Sequence, residues 1–325
     1  MVPLERRTAG RVSRPALPAA LAAWASDGRR REYELLADRH DGTVVRCGAA
    51  VAKAHAEDAD RDALAVRLGI AAHPALAGVL LAPLRPGTGS VHGRPASLWP
   101  YGAPVDPERP ADAPWEEAGR LLASLHRTPP DAIPGPVPPM RGPAKLARAL
   151  GRLARAEPLG AEPAAARAVR AAARTLPAWA RGRAEPPPGG ALCHGDLHLG
   201  QLVRHPAPAG AWLLIDVDDL GLGAPAWDLA RPAAWYAAGL LDAATWLRFL
   251  DAYRSAGGPA AGAPGSDPWP ELDLAARALT VQTAALAVAK AAEGGRRLDD
   301  DERLMADACA RIATLPADFD SAPPP

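Results

Sequence analysis

From residue 33 the hydrophobic pattern comes in short runs divided by polar pairs. Tyr33-Glu34-Leu35-Leu36-Ala37, Thr43-Val44-Val45-Arg46-Cys47 and Ala50-Val51-Ala52-Lys53-Ala54 have the length of strands, and Asp41-Gly42 between the first two is a hairpin signal. The acids Glu57, Asp58, Asp60 and Asp62 open a predicted helix over 58–68, where negative charge favours the N-terminus. Apolar runs at 78–83 and 96–102 predict two more strands, the second ending in Pro100 and Gly102 as a hinge between lobes would. At Trp115 the period becomes helical, with Ala118, Leu121, Leu122 and Leu125 on the same face. The Pro-rich stretch 128–143 has no period and reads as a loop or flap. Helices are expected near 143–157 and 161–181. Beyond a strand ending at Asp216 they follow near 225–240, 242–256, 270–293 and 300–314, with Gly257-Gly258 and Gly294-Gly295 as stops. A β-rich first third and a helical remainder predict an α+β chain of two lobes, 1–101 and 102–321, with a disordered tail at 322–325.

The formal charge is zero, from 37 basic and 37 acidic residues. No single-sign field points to nucleic acid or an anionic membrane, so the expected partner is a small molecule. Only Lys53, Lys145 and Lys290 among the basic residues are lysines, the rest being Arg. Cys47, Cys193 and Cys309 are odd in number and widely spaced, which suits a reducing cytoplasm. No uninterrupted apolar run approaches the ~20 residues of a membrane span. Arg6, Arg7, Arg11 and Arg14 precede an Ala-rich stretch at 16–25 in the manner of a signal peptide, but Pro15 and Pro18 interrupt it, and a short surface helix is expected instead.

The candidate chemistry is concentrated in Leu192-Cys193-His194-Gly195-Asp196-Leu197-His198-Leu199-Gly200-Gln201, followed by Leu213-Leu214-Ile215-Asp216-Val217-Asp218-Asp219 and by Trp227-Asp228-Leu229-Ala230. A loop carboxylate, a carboxamide five residues on and a carboxylate ending an apolar strand are the parts that phosphoryl transfer from ATP requires. One carboxylate serves the acceptor hydroxyl, and oxygen ligands hold Mg2+. His194 and His198 lie four apart, as a zinc pair does, but Gly195 between them argues against a helix and no third ligand has a convincing spacing. Asp216 alone also fits a turn that ends a strand. If the backbone continues extended, Asp218 points the same way as Asp216, either as a second metal ligand or as a partner for an arginine.

This stretch resembles the aminoglycoside phosphotransferase and choline kinase family, with its H-G-D-x-x-x-x-N loop, I-D strand end and D-L-A segment; Gln201 stands where most members have Asn. The H-G-D-L-H-L-G-Q loop is similar to that of the family's maltose and glucosamine kinases. The resemblance implies a protein-kinase-like two-lobe fold and a small-molecule kinase. It implies Asp196 as the catalytic carboxylate, Asp216 and Gln201 as Mg2+ ligands with Asp218 a further candidate, and Lys53 on the ATP phosphates. Residues 98–102, including Leu98, Trp99 and Tyr101, would hold adenine, residues 39–43 would cover the phosphates, and Asp228 would tie the catalytic loop to its helix. The acceptor it implies is a small-molecule hydroxyl, of an aminoglycoside, an amino sugar or similar; for a sugar, Trp227, Trp235, Tyr236 and Trp246 are available as platforms. The other class of reading is a non-catalytic nucleotide-binding regulator, suggested by Gln201 and by the lack of a Glu on the first helix after Lys53. A protein kinase is disfavoured because only eleven residues lie between Asp216 and Asp228.

Overall fold

Where the sequence alternates, a sheet forms. The computed structural model describes residues 16–29, 32–39, 42–187 and 190–315. Within them β1 (Glu34–Arg39), β2 (Gly42–Cys47), β3 (Ala50–His55), β4 (Gly89–Val91) and β5 (Arg94–Pro100) form an antiparallel sheet in the order β1-β2-β3-β5-β4. Val45 and Cys47 of β2 alternate onto its buried face, where α1 (Leu17–Ala25) adds Leu21 and Ala22 to a core with Ala52, Ala54, Val91, Ala96 and Leu98. Gly89 permits the approach of α1, since a Cβ there would lie 2.3 Å from the Trp24 ring. Arg39 pairs with Gly42 across the expected hairpin. His40 and Asp41 at its tip lie outside the described residues, as do the N-terminal arginines and the 322–325 tail.

The chain divides into two units, Met1–Ala65 with Pro83–Tyr101, and Val66–Ala82 with Gly102–Pro325. The first unit ends at the expected boundary, Tyr101, while the segment 66–82 falls in the second unit. The apolar run at 78–83 is no sheet strand but makes a bridge at Leu80 to Leu214, with Leu81 N–H donating to Leu214 O at 2.9 Å, and Arg67 Nε donates to Leu220 O at 2.7 Å. Helix α2 (Arg61–Ala71) starts at Asp60, whose carboxylate accepts from the N–H groups of Asp62 and Ala63, both at 3.0 Å.

In the second unit α3 (Trp115–His126) packs on α7 (Ala243–Ser255). The long α8 (Trp269–Glu293) packs on α4 (Gly142–Ala156), α6 (Ala226–Ala238) and α9 (Asp300–Ile312), while α5 (Pro163–Arg174) packs on α8 and α9. Helix α5 stops short of residue 181 because Pro177 cannot continue it. By length and composition α8 is apolar enough to span a membrane, yet most of it is buried among its neighbours, largely through alanines, which makes it a core helix. Asp299 and Glu302 form a reciprocal capping box at the start of α9, which places acids where the helix dipole favours them.

Two small sheets position the candidate chemistry. The chain runs through β7 (Ala191–Cys193), a loop, β8 (Leu202–His205), β9 (Ala211–Leu214), a second loop and β10 (Gly221–Gly223). β8 pairs with β9 and also with β6 (Ala103–Pro104), and β7 pairs with β10, all antiparallel. This nested hairpin sets loop 194–201 against loop 215–220. The segment 128–143, expected to be a loop or flap, is partly anchored beside it: Met140 N–H donates to Leu222 O at 2.8 Å and Leu222 N–H to Pro138 O at 2.9 Å.

Asp228, on the first turn of α6, holds the first loop. Its Oδ2 accepts from His194 N–H at 2.6 Å and its Oδ1 from Gly195 N–H at 2.7 Å. His126 Nε2 donates to the same Oδ2 at 3.0 Å, and Tyr253 donates its hydroxyl to His126 Nδ1 at 2.9 Å while accepting from Ala260 N–H at 3.1 Å. Burial alone would raise the Asp228 pKa, but the His126 bond, the neighbouring His194 and the Gly195 N–H hold it below the ordinary carboxylate value. A carboxylate with a lowered folded-state pKa contributes stability that is complete above its unfolded pKa of about 4 and is lost as the pH falls through the lower folded value. Removing it in Asp228→Ala strands two buried N–H groups and a buried imidazole. Urea unfolding at neutral pH should then show a loss of about 3–5 kcal/mol, and a loss below ~1 kcal/mol would mean that the network does not hold the loop.

Candidate functional site

The two facing loops meet at glycine distance. Gly195 has φ +83°, and a Cβ there would lie 2.4 Å from Asp219 O. His194 Nε2 donates to Ile215 O at 2.7 Å, and Ile215 N–H donates to Gln201 O at 2.9 Å, so each loop fixes the backbone of the other.

Asp196 emerges from this frame with its side chain 22 % exposed. Lys145 Nζ, on the first turns of α4, lies 2.7 Å from its Oδ2, and Arg231, on α6, donates to its Oδ1 at 2.5 Å. The same Lys145 ammonium is 2.8 Å from Asp219 Oδ2, and Arg141 is 3.4 Å from Asp219 Oδ1. Arg231 Nε also donates to Leu197 O at 3.0 Å. Burial pushes the Asp196 pKa up, but Lys145 and Arg231 outweigh it and hold the carboxyl below its ordinary value. The group is therefore ionised near neutral pH, with lone pairs left beside those the two cations occupy.

Gln201 is buried at the end of the turn Leu199–Gln201. Asp216 adopts φ 63°, ψ 73°, a left-handed conformation uncommon for a residue with a Cβ, and the turn Val217–Asp219 follows it. The expected extended backbone from Asp216 to Asp218 is thus absent, because the chain turns immediately after the strand. Gln201, Asp216 and Asp218 offer an amide oxygen and two carboxylates, the hard donors that suit Mg2+, and the Ile215–Gln201 bond ties Gln201 to the residue before Asp216.

His194 and His198 each have one ring nitrogen engaged by the backbone. His194 Nε2 serves Ile215 O, while His198 Nδ1 accepts from Gly200 N–H at 3.0 Å. Burial, assisted by Arg231, lowers the His198 pKa to about 4, so its imidazole is neutral near pH 7. His126, Cys193 and Asp228 do bring ligand atoms within 4.8 Å of one another. Their hydrogen bonds already use the two imidazole nitrogens and both carboxylate oxygens, and burial keeps the Cys193 thiol protonated.

In the first unit Lys53 is half-buried on β3, opposite Val44 and Ser97. Leu98 and Trp99 are buried on β5; Leu98 O accepts from Leu84 N–H at 2.8 Å and Trp99 Nε1 donates to Ser97 Oγ at 2.9 Å. Tyr101 N–H donates to Ala49 O at 2.7 Å, and its ring lies 3.5 Å below the Arg46 guanidinium. Two backbone groups of the expected adenine-binding segment are thus engaged within the unit.

Among the aromatic residues, Trp227 is core, packed against Trp179 and so close to Gly142 that a Cβ there would lie 2.1 Å from its indole nitrogen. Tyr236 stacks between Trp246 and Trp269, with ring centroids 5.7 and 6.4 Å away, beside a cavity of about 470 Å³ that Asp251 and Asp267 also line.

Sequence reasoning missed Lys145, Arg231 and Asp219 as site residues. Lys145 had a signal in being one of three lysines, and Arg231 follows Asp228 by three, which places both on one side of α6. Asp219 belongs to the acidic run that begins at Asp216.

A family model described as the phosphotransferase enzyme family matches residues 25–269. No curated protein matches the chain in sequence. Among solved structures, aminoglycoside phosphotransferase APH(4)-Ia, as a thermostable mutant, superposes with a TM-score of 0.60 at 14 % identity, covering 90 % of this chain and 98 % of that one. A choline/ethanolamine kinase family protein from Mesorhizobium loti gives 0.55 at 19 % identity, covering 91 % and 92 %. Spectinomycin phosphotransferase APH(9)-Ia, in complex with ADP and spectinomycin, gives 0.54 at 14 % identity, covering 88 % and 89 %. These structures share the α+β fold, and with the family model spanning most of the sequence, the chain belongs to the phosphotransferase enzyme family.

Proposed function

We propose that this enzyme transfers the γ-phosphoryl group of ATP to a hydroxyl of a small molecule such as an aminoglycoside or amino sugar. The observation that carries this reading is the nested hairpin, which sets the Asp196 loop against the 215–220 loop with its carboxylates. Asp196 accepts or orients the acceptor's proton, and its lowered pKa keeps it ionised for that task. Gln201, Asp216 and Asp218 are the residues that would hold Mg2+, which when bound supplies charge neutralisation on the phosphates. Lys53 contributes a cation to the phosphates, and residues 98–102, with Leu98, Trp99 and Tyr101, contribute the nucleotide-base surface. The ADP complex of the spectinomycin enzyme supports a nucleotide as the donor.

For the acceptor, Tyr236 follows Arg231 by five residues, roughly 7.5 Å along α6. Its stack with Trp246 and Trp269, beside Asp251 and Asp267, supports a ring-containing and cationic molecule, because aromatic faces and carboxylates both attract ammonium groups.

Screening aminoglycosides, amino sugars, maltose, choline and macrolides with γ-labelled ATP should reveal a phosphorylated product. With that acceptor, Asp196→Asn should lower kcat by about 10²–10⁴-fold while leaving ATP affinity unchanged in calorimetry. A variant as fast as the parent would remove Asp196 from the mechanism.

Asp216→Ala should weaken nucleotide binding in the presence of Mg2+ but not in EDTA. Equal affinity under both conditions would show that Asp216 is not a ligand. Gln201→Ala should raise the Mg2+ concentration needed for half-maximal turnover, and an unshifted titration would exclude the carboxamide from the metal site.

A further inference from the structure

We propose that Lys145 is a further catalytic residue: its ammonium, shared between Asp196 and Asp219, donates its remaining N–H to the γ-phosphoryl group of the bound triphosphate. The proposal rests on the phosphotransferase reading above and adds to it a group from a distant helix.

Position is the first argument. Lys145 Nζ lies 2.7 Å from Asp196, which serves the acceptor hydroxyl, and 2.8 Å from Asp219, in the segment that carries Asp216 and Asp218. A phosphoryl group passing from nucleotide to acceptor travels between those same two segments. The second argument is a count of donors. An ammonium has three N–H groups. Asp196 and Asp219 take two, and the third has no protein partner among the described residues, while the side chain is 22 % exposed. The third argument is placement against local preference. Lys145 is the fourth residue of α4, where the helix dipole disfavours a cation. This chain also uses Arg almost everywhere else it needs a positive charge. A compact ammonium on a flexible stem can turn toward a new oxygen without giving up its carboxylates, whereas the planar fork of Arg231 is fixed on Asp196 and Leu197 O.

In the reaction, the acceptor oxygen forms its bond to the γ-phosphorus as the bond from that phosphorus to the β–γ bridging oxygen breaks. The hydroxyl proton passes to Asp196 and ADP leaves. Lys145 compensates charge on the transferred group's non-bridging oxygens throughout and is not consumed. Asp196 remains ionised beforehand under the combined influence of Lys145 and Arg231.

The test compares Mg–AMP-PNP with Mg–ADP, since only the former carries a γ group. Calorimetry on Lys145→Met should show AMP-PNP binding weakened at least about tenfold with ADP affinity within about twofold of the parent; Lys145→Arg, which keeps a charge, should recover part of the loss. AMP-PNP affinity within twofold of the parent would overturn the proposal. A second measurement needs no substitution. Acetylation of Lys145 in the parent protein, read by mass spectrometry, should be slowed by Mg–AMP-PNP beyond any effect of Mg–ADP, and equal rates with the two nucleotides would likewise refute the contact. A parent protein that binds neither nucleotide would overturn the phosphotransferase reading itself, an outcome distinct from the failure of Lys145 alone.

Discussion

The candidate site depends on one buried carboxylate that holds its main loop in place. Asp228 takes the N–H groups of His194 and Gly195, the two residues that lead into Asp196, and is in turn held by His126 on α3, which Tyr253 of α7 orients. A loop is thereby fixed from three helices. Its backbone donors would otherwise be buried unpaired, at a cost comparable to a lost hydrogen bond each. Because the network stays ionised and satisfied, the loop needs no regular secondary structure to remain in place.

Around Asp196 the protein solves a different electrostatic problem. A half-buried carboxylate tends toward protonation, yet a base must be charged to act. Lys145 and Arg231 resolve this from two separate helices, and Asp219 balances Lys145 so that the cluster carries no large excess of charge. Lys145 is also joined to both loops, which makes it a bridge between the proposed base and the proposed metal segment.

Much of this was legible in the sequence. The alternation at 33–54 marked the first three strands, the 3.6-residue period from Trp115 marked the helical region, and His194-Gly195-Asp196 with Ile215-Asp216 marked the candidate site. What escaped was tertiary. The assignment of 66–82 to the second unit follows from pairing with Leu214 and Leu220, residues more than a hundred positions away that no local pattern announces. The turn after Asp216 was one of two readings open in the sequence, since Asp both ends strands in turns and tolerates the left-handed conformation, and an extended continuation to Asp218 fitted the pattern equally well. Lys145 and Arg231 lie on helices whose periodicity reports only their apolar faces. A cation placed for chemistry therefore looks like any other solvated position.

The closeness of Gly195 to Asp219 has a mechanical meaning. With 2.4 Å between a would-be Cβ and the facing carbonyl, and with Ile215 bonded to both His194 and Gln201, neither loop can slide past the other. The loops that carry the proposed base and the proposed metal ligands are thus joined directly to each other. The ring stack of Tyr236, Trp246 and Trp269, the proposed acceptor surface, belongs to neighbouring helices and not to these loops. On the proposed reading, acceptor range and reacting centre rest on different parts of the chain, so helix residues can vary while the two joined loops stay as they are.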